Sequence, residues 1–220
     1  MIMNDGDDCR RTLGRRRGWL GFTVIELLAV LCIVTTLLTI LIPTISGARS
    51  SANKARTRVQ FNQWGLAIAA FRSEYGYYPL LDASNKVNGG VNDTDHPFHD
   101  VLAGRKRDGS PLTPGSAVAL QNRKAIAFCS FGEGDFTPAS SPTPNLLADA
   151  FGTTDIAVLF DRNLDGTINR SDYGDDLPAV AGLRPGSDDF PTSGIRAGAV
   201  FYCADPRATA DSPQFIFSWK

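Results

Sequence analysis

A chain of 220 residues, 43% hydrophobic and 20% charged, has the composition of a folded protein, which excludes a wholly disordered one. The formal net charge is −1, and beyond Gly21 there are 17 basic against 20 acidic residues, a net of −3. No large basic field exists to grip phosphates, so no nucleic-acid partner is expected.

Residues 22–42, FTVIELLAVLCIVTTLLTILI, carry no charge except Glu26. As a helix rising about 1.5 Å per residue the run would be roughly 30 Å long, about one hydrocarbon thickness. Arg10, Arg11, Arg15, Arg16 and Arg17 precede it, whereas Asp5, Asp7 and Asp8 count little for orientation. The positive-inside bias then puts the N-terminus in the cytoplasm and the rest outside. Three readings compete: a buried helix of a soluble protein, a cleaved secretory signal invited by the arginine run, and cleavage before the apolar run. No small-x-small site clearly follows the run, which argues against the second. Cleavage between Gly21 and Phe22 would leave the helix on the mature protein. Cys32, mid-span, reads as a small apolar packer. A carboxylate in lipid costs a few kcal/mol, so Glu26 calls for a function.

Gly21-Phe22-Thr23-Val24-Ile25-Glu26-Leu27-Leu28 resembles the class III signal of type IV pilins and type II secretion pseudopilins. The resemblance implies that a membrane prepilin peptidase cuts after Gly21 and methylates the new amine of Phe22. Pro43 falls at the twenty-second mature position, where the family often places a proline. The domains expected are a leader, 1–21; a transmembrane half of a spine helix, 22–43; and a periplasmic pilin-like head, 44–220. The implied location is the bacterial inner membrane, single-pass, with later extraction into a periplasmic filament. Cleavage puts a cationic amine one turn from Glu26, and an i, i+4 pair can shield the carboxylate within one subunit. In a filament, the resemblance implies, Glu26 pairs with the Phe22 amine of a neighbour and sets the register of packed helices. The alternative is a tolerated interfacial charge.

Beyond Pro43 the helical period continues. Ile45, Ala48, Ala52, Ala55 and Val59 make a small-residue stripe suited to other helices. Phe61, Trp64, Ile68, Phe71 and Tyr75 make a bulky one suited to a sheet. Gly76 and Pro79 end the pattern, giving a helix about 80 Å long. Tyr77-Tyr78-Pro79 resembles the aromatic-proline exit of major pseudopilins. Residues 82–116 read as irregular loop with one short helix near 98–103. His96 and His99 lack a paired ligand motif and read as exposed loop histidines rather than a zinc site. Strand character appears at 125–131, 155–160, 199–203 and 215–219. The economical fold is α+β: a long N-terminal helix, membrane-spanning in its first half, packed on a small antiparallel sheet. The connections are longer than usual, so something must tie them down.

Residues 161–172, DRNLDGTINRSD, fit the twelve-residue calcium loop. Asp161, Asn163 and Asp165 supply oxygens at positions one, three and five, and Gly166 allows the turn. Thr167 offers its carbonyl at seven, Ile168 anchors the loop, and Asp172 closes it. Aspartate stands where a bidentate glutamate is usual, a version that resembles dockerin loops. The calcium expected is structural; the competing reading is an Asx-rich turn without metal. Asp149-Ala150-Phe151-Gly152-Thr153 resembles the Asp-Pro-Trp-Gly motif of major pseudopilins with proline and tryptophan replaced. Residues 196–202, Asp205-Pro206 and the ending Ile216-Phe-Ser-Trp219 resemble that family's C-terminal strands and tail. In that family calcium sits nearer the C-terminus, so this loop departs from the pattern. Cys9 would leave with the leader. Cys129 and Cys203 remain as either a disulfide or two reduced core cysteines.

The resemblance implies a structural subunit of a type II secretion filament, with prepilin peptidase, identical or related pseudopilins and an inner-membrane assembly platform as partners. Its alternatives are a type IV pilus subunit for adhesion, motility or DNA uptake, and a membrane-tethered calcium-binding module or enzyme. The sequence presents no nucleophile–base constellation or phosphate loop, so catalysis is not expected.

Overall fold

The computed structural model describes residues 22–92 and 95–220, apart from the side chains of residues 40–45. The leader expected at 1–21, with Cys9 and Gly21, lies outside the described residues. The chain divides into two units, residues 1–47 and 48–220.

Helix α1, Val24–Tyr75, begins in the first unit and ends in the second. In the first unit its apolar side chains are open to solvent: Phe22 is 81% exposed, Ile25 75% and Leu37 61%. Among the described residues, however, no helix is long and apolar enough to cross a membrane. This overturns the expected transmembrane half at 22–43 and, with it, the single-pass inner-membrane placement. The apolar run of α1 is interrupted by the Glu26 carboxylate near its start and by hydroxyls further along. Three threonines lie in that stretch, each turning its hydroxyl back on the helix: Thr35 on the Leu31 carbonyl, Thr36 on that of Cys32, Thr39 on that of Thr36.

In the second unit α1 has two unlike faces. Phe61, Trp64, Ile68 and Phe71 are buried, while Ala48, Ala52, Ala55 and Val59 are exposed. Gly76 ends the helix at φ 81, its amide closing on the Arg72 carbonyl at 2.7 Å. The bulky face packs on a three-stranded antiparallel sheet, β1 Ile156–Phe160, β2 Ala199–Ala204 and β3 Phe215–Phe217, in the order β1-β2-β3. Val158 lies opposite Phe201, and Cys203 opposite Ile216.

Alternation along the strands builds two cores. Ile156, Val158, Phe160, Phe201, Cys203 and Ile216 face α1. Ala157, Leu159, Val200, Tyr202 and Phe217 face the other way, onto Ile168, Tyr173, Leu177, Val180 and Phe190 of the long loops. The sheet is therefore covered on both sides, which is why IAVLF is apolar throughout and buried at every position.

Residues 125–131 are not a strand. Ala125 turns at φ 49, and the amides of Phe128 and Cys129 both go to the carbonyl of Leu102. With its donors taken by a helix end, the segment has no ladder to offer. Residues 218–219 also fall outside β3, which stops at Phe217. Helix α2, Pro97–Ala103, starts with proline in its first turn, and a second short helix, α3 Ala117–Gln121, is capped by Ser116, whose Oγ accepts from the Ala119 amide at 3.1 Å.

Candidate functional site

In the first unit the carboxylate of Glu26 is engaged at the very start of α1. Glu26 Oε2 accepts from the Thr23 amide at 2.9 Å and from its hydroxyl at 2.8 Å, and the Glu26 amide donates to Thr23 Oγ1 at 3.3 Å. Thr23-x-x-Glu26 is thus a reciprocal capping box, which satisfies two otherwise orphaned donors. Thr23 was not singled out from the sequence, although the spacing spells the motif. Phe22, the expected new N-terminus, stands directly before the cap and is exposed.

In the second unit the loop after β1 is organised by Asp161. This carboxylate is fully buried. Its Oδ1 accepts from the Asp165 amide at 3.2 Å and its Oδ2 from the Gly166 amide at 2.9 Å. The turn runs through Leu164 at φ 62 and Gly166 at φ 86, and a leucine in the left-handed region marks a backbone held there by its surroundings. Asn163 Oδ1 takes the Asp165 amide at 3.3 Å, and Asp165 Oδ1 takes the Thr167 amide and hydroxyl, both at 2.7 Å. Those two bonds from Thr167 hold the Asp165 carboxyl below the usual carboxylate range. Asp172 Oδ2 caps the Asn169 amide at 2.8 Å. Ile168 exchanges two backbone bonds with Ile195, each 2.9 Å, and is fully buried.

Sequence spacing gave no hint of what backs Asp161. Arg72 of α1 lies 4.0 Å from Asp161 Oδ2, sits 4.6 Å from the centre of the Tyr78 ring, and donates to the Tyr78 hydroxyl. Gly198 makes this approach possible, since a Cβ there would meet Tyr78 Oη at 2.5 Å. On the other side, the Tyr173 hydroxyl accepts from the Phe160 amide at 2.5 Å and donates to the Phe160 carbonyl at 2.8 Å. Burial pushes this phenol up to about 12, so it acts as a fixed neutral staple.

Asp161, Asn163, Asp165, Thr167 and Asp172 are all hard oxygen donors, the chemistry calcium takes. Among the described residues, no three His, Cys, Asp or Glu side chains are grouped to hold a metal. A cation here would have to draw on the amide oxygen of Asn163 and the backbone carbonyl of Thr167 as well as on carboxylates.

Cys129 and Cys203 are both free thiols in this structure. The Cys203 thiol donates to Asp149 Oδ2 at 3.3 Å, and burial together with that carboxylate pushes its pKa far up. Burial likewise raises Cys129 to about 11, and its thiol turns toward the Ser130 carbonyl. Asp149 Oδ1 meanwhile accepts from the Phe151 and Thr153 amides at 2.9 and 2.8 Å. This closes the turn at 149–153 beside an open groove of about 740 Å³ between α1 and residues 134–138.

His96 and His99 are buried, not exposed. His99 Nδ1 meets Asp100 Oδ1 at 2.7 Å, while His96 Nδ1 has no hydrogen-bond partner among the described residues. Burial lowers the His96 pKa, with Asp100 opposing and His99 and Arg107 reinforcing. A depressed histidine contributes stability above its unfolded value of about 6.5, which is lost as pH falls through the folded value. Between about pH 7 and pH 5 the wild-type melting temperature is expected to fall more steeply than that of His96→Gln. Equal slopes in thermal melts would remove His96 from the account.

No family model, curated protein or solved structure matches the chain.

Proposed function

We propose that the chain is a structural filament subunit of the pilin-like kind, nearest to the major pseudopilins of type II secretion. One observation carries this reading. Apart from Thr23, Glu26, Thr35 and Thr36, residues 22–38 are apolar, and they are solvent-exposed; so long an apolar face calls for a cover that the single chain does not supply, and neighbouring chains supply it in a filament. The exposed small-residue face at Ala48, Ala52, Ala55 and Val59 supports the same packing, because small side chains let backbones approach closely.

In this reading prepilin peptidase cuts after Gly21, the Phe22 amine is methylated, and identical or related subunits assemble on a platform. The Glu26 carboxylate, which Thr23 caps in the single chain, takes the neighbouring Phe22 amine as a partner when copies pack. The loop at 161–172 takes calcium as a structural ion, and the chain's role is mechanical rather than catalytic.

Mass analysis of the N-terminus in isolated fibres tests the processing step, with a methylated Phe22 expected. Glu26→Ala is expected to leave the head folded and to cut fibre yield by about tenfold or more, since an uncompensated buried amine would remain in the packed helices. Fibres built of chains that keep residues 1–21, or normal yield from Glu26→Ala, would sink the reading.

A further inference from the structure

Two surfaces of the second unit carry opposite charge, and they cannot meet within one molecule. The first is the exposed flank of α1. Residues 48–60 hold Arg49, Lys54, Arg56 and Arg58 and no acidic residue. Lys54 pairs with the buried Asp205 at 2.5 Å. Among the described residues no carboxylate pairs with Arg49, Arg56 or Arg58, and Arg58 Nε is buried without a partner. Arg49 and Arg56 are seven residues apart, two turns along one side of the helix, and both are exposed.

The second surface is the loop system over the far side of the sheet. Residues 161–189 contain seven aspartates and three arginines. Those arginines do not neutralise it. Arg162 lies over the Tyr173 ring, Arg170 donates to the Gly174 carbonyl, and Arg184 donates to that of Asp175. Lys220 pairs with Asp189 at 2.9 Å. Asp175, Asp176 and Asp188 are left exposed without an ion pair among the described residues. They flank Tyr173, Leu177 and Phe190, which belong to the core on the side of the sheet away from α1.

With the sheet between them, the two surfaces do not pair within one molecule, and each is open to a complement on another. We propose that Arg49 and Arg56 on α1 of one copy dock onto the acidic lobe at Asp175, Asp176 and Asp188 of a second copy. The inference rests on the filament reading and names a head contact within it. Because the two patches are different surfaces, the contact is head-to-tail and can repeat without closing, as a filament requires. It is screened by salt, with a reach of about 8 Å at physiological ionic strength. Its main effect is to reject wrong registers and orient incoming copies.

Charge reversal in the full-length chain tests it, read as the fraction of protein sedimenting as fibres. Arg49→Glu with Arg56→Glu should lower that fraction by about fivefold or more, as should Asp175→Arg with Asp176→Arg. A chain carrying all four changes should recover, and about 1 M salt should weaken assembly of the wild type. If the glutamate pair lowers the melting temperature, Arg49→Gln with Arg56→Gln is read in its place. Wild-type-like assembly of either pair, or loss without rescue in the four-fold chain, overturns the contact and leaves the filament reading standing. A wild type that forms no fibres overturns the filament reading. The contact is then read from co-purification of two differently tagged copies at low and high salt, and absent or salt-independent association overturns it as well.

Discussion

Replacing Asn122 by alanine is expected to destabilise the head by about 3 kcal/mol or more, a fall of roughly 6–12 °C in melting temperature for a unit of this size. Asn122 is 1% exposed, and its side chain makes four hydrogen bonds. Its Nδ2 donates to the carbonyls of Val101 and Ile126, both at 2.8 Å. Its Oδ1 accepts from the Ile126 amide at 2.9 Å and from the Tyr75 hydroxyl at 2.7 Å. One side chain thereby joins the last turn of α1, the end of α2 and the turn at 122–126. Alanine takes this partner from the buried Val101 carbonyl and from the half-buried Ile126 backbone and Tyr75 hydroxyl, and an orphaned buried polar group costs more than the bond was worth. Asn122→Asp should fare no better despite its shape, because it puts oxygen against two carbonyl oxygens. Asn62→Ala, on the exposed side of α1, should stay within about 0.5 kcal/mol of wild type. Thermal melts of the three variants decide it, and a mild Asn122→Ala would mean the turn is held by its neighbours instead.

Asn122 also explains where sequence pattern stops being informative. The two stripes of α1 could be read because Phe61, Trp64, Ile68 and Phe71 recur at helical spacing, and burial follows that spacing. IAVLF, AVFYCA and FIF could be read as strands from their β-branched and aromatic content. Residues 125–131 have the same content, yet the amide of Ile126 turns back on Asn122 and those of Phe128 and Cys129 answer to Leu102, a partner that no local window contains. The membrane reading had a similar weakness. It rested on apolar length, a one-dimensional property, and did not see that Thr23 and Glu26 together form a polar cap. The exposed-loop reading of His96 and His99 failed because α2 folds both rings against Phe136. At the loop after β1, Asp161, Asn163 and Asp165 declared themselves by spacing. Arg72, in the last turn of α1, and Tyr78, just beyond it, back Asp161 and could be found only in three dimensions.

That backing gives Asp161→Ala a large expected effect, about 2–4 kcal/mol of head stability even with calcium removed. The substitution strips the Gly166 amide of its acceptor, leaves the Asp165 amide with Asn163 Oδ1 alone, and leaves the Arg72 guanidinium without its carboxylate. It also releases Leu164 and Gly166 from the positive-φ turn that Asp161 holds. If the loop takes calcium, a second loss is layered on the first. An ion that binds only the folded chain adds about 2.7 kcal/mol at a hundredfold excess over its dissociation constant, and Asp161→Ala should abolish that increment. Melting curves of wild type and variant in chelator and in excess calcium separate the two effects. A variant weakened equally in both conditions, with a wild type indifferent to calcium, would discard the metal while keeping the hydrogen-bonded turn. A wild type raised by calcium and a variant that is not would assign the ion to this loop. A variant as stable as wild type in chelator would discard Asp161 as the organiser of the turn, because no other described carboxylate reaches both amides.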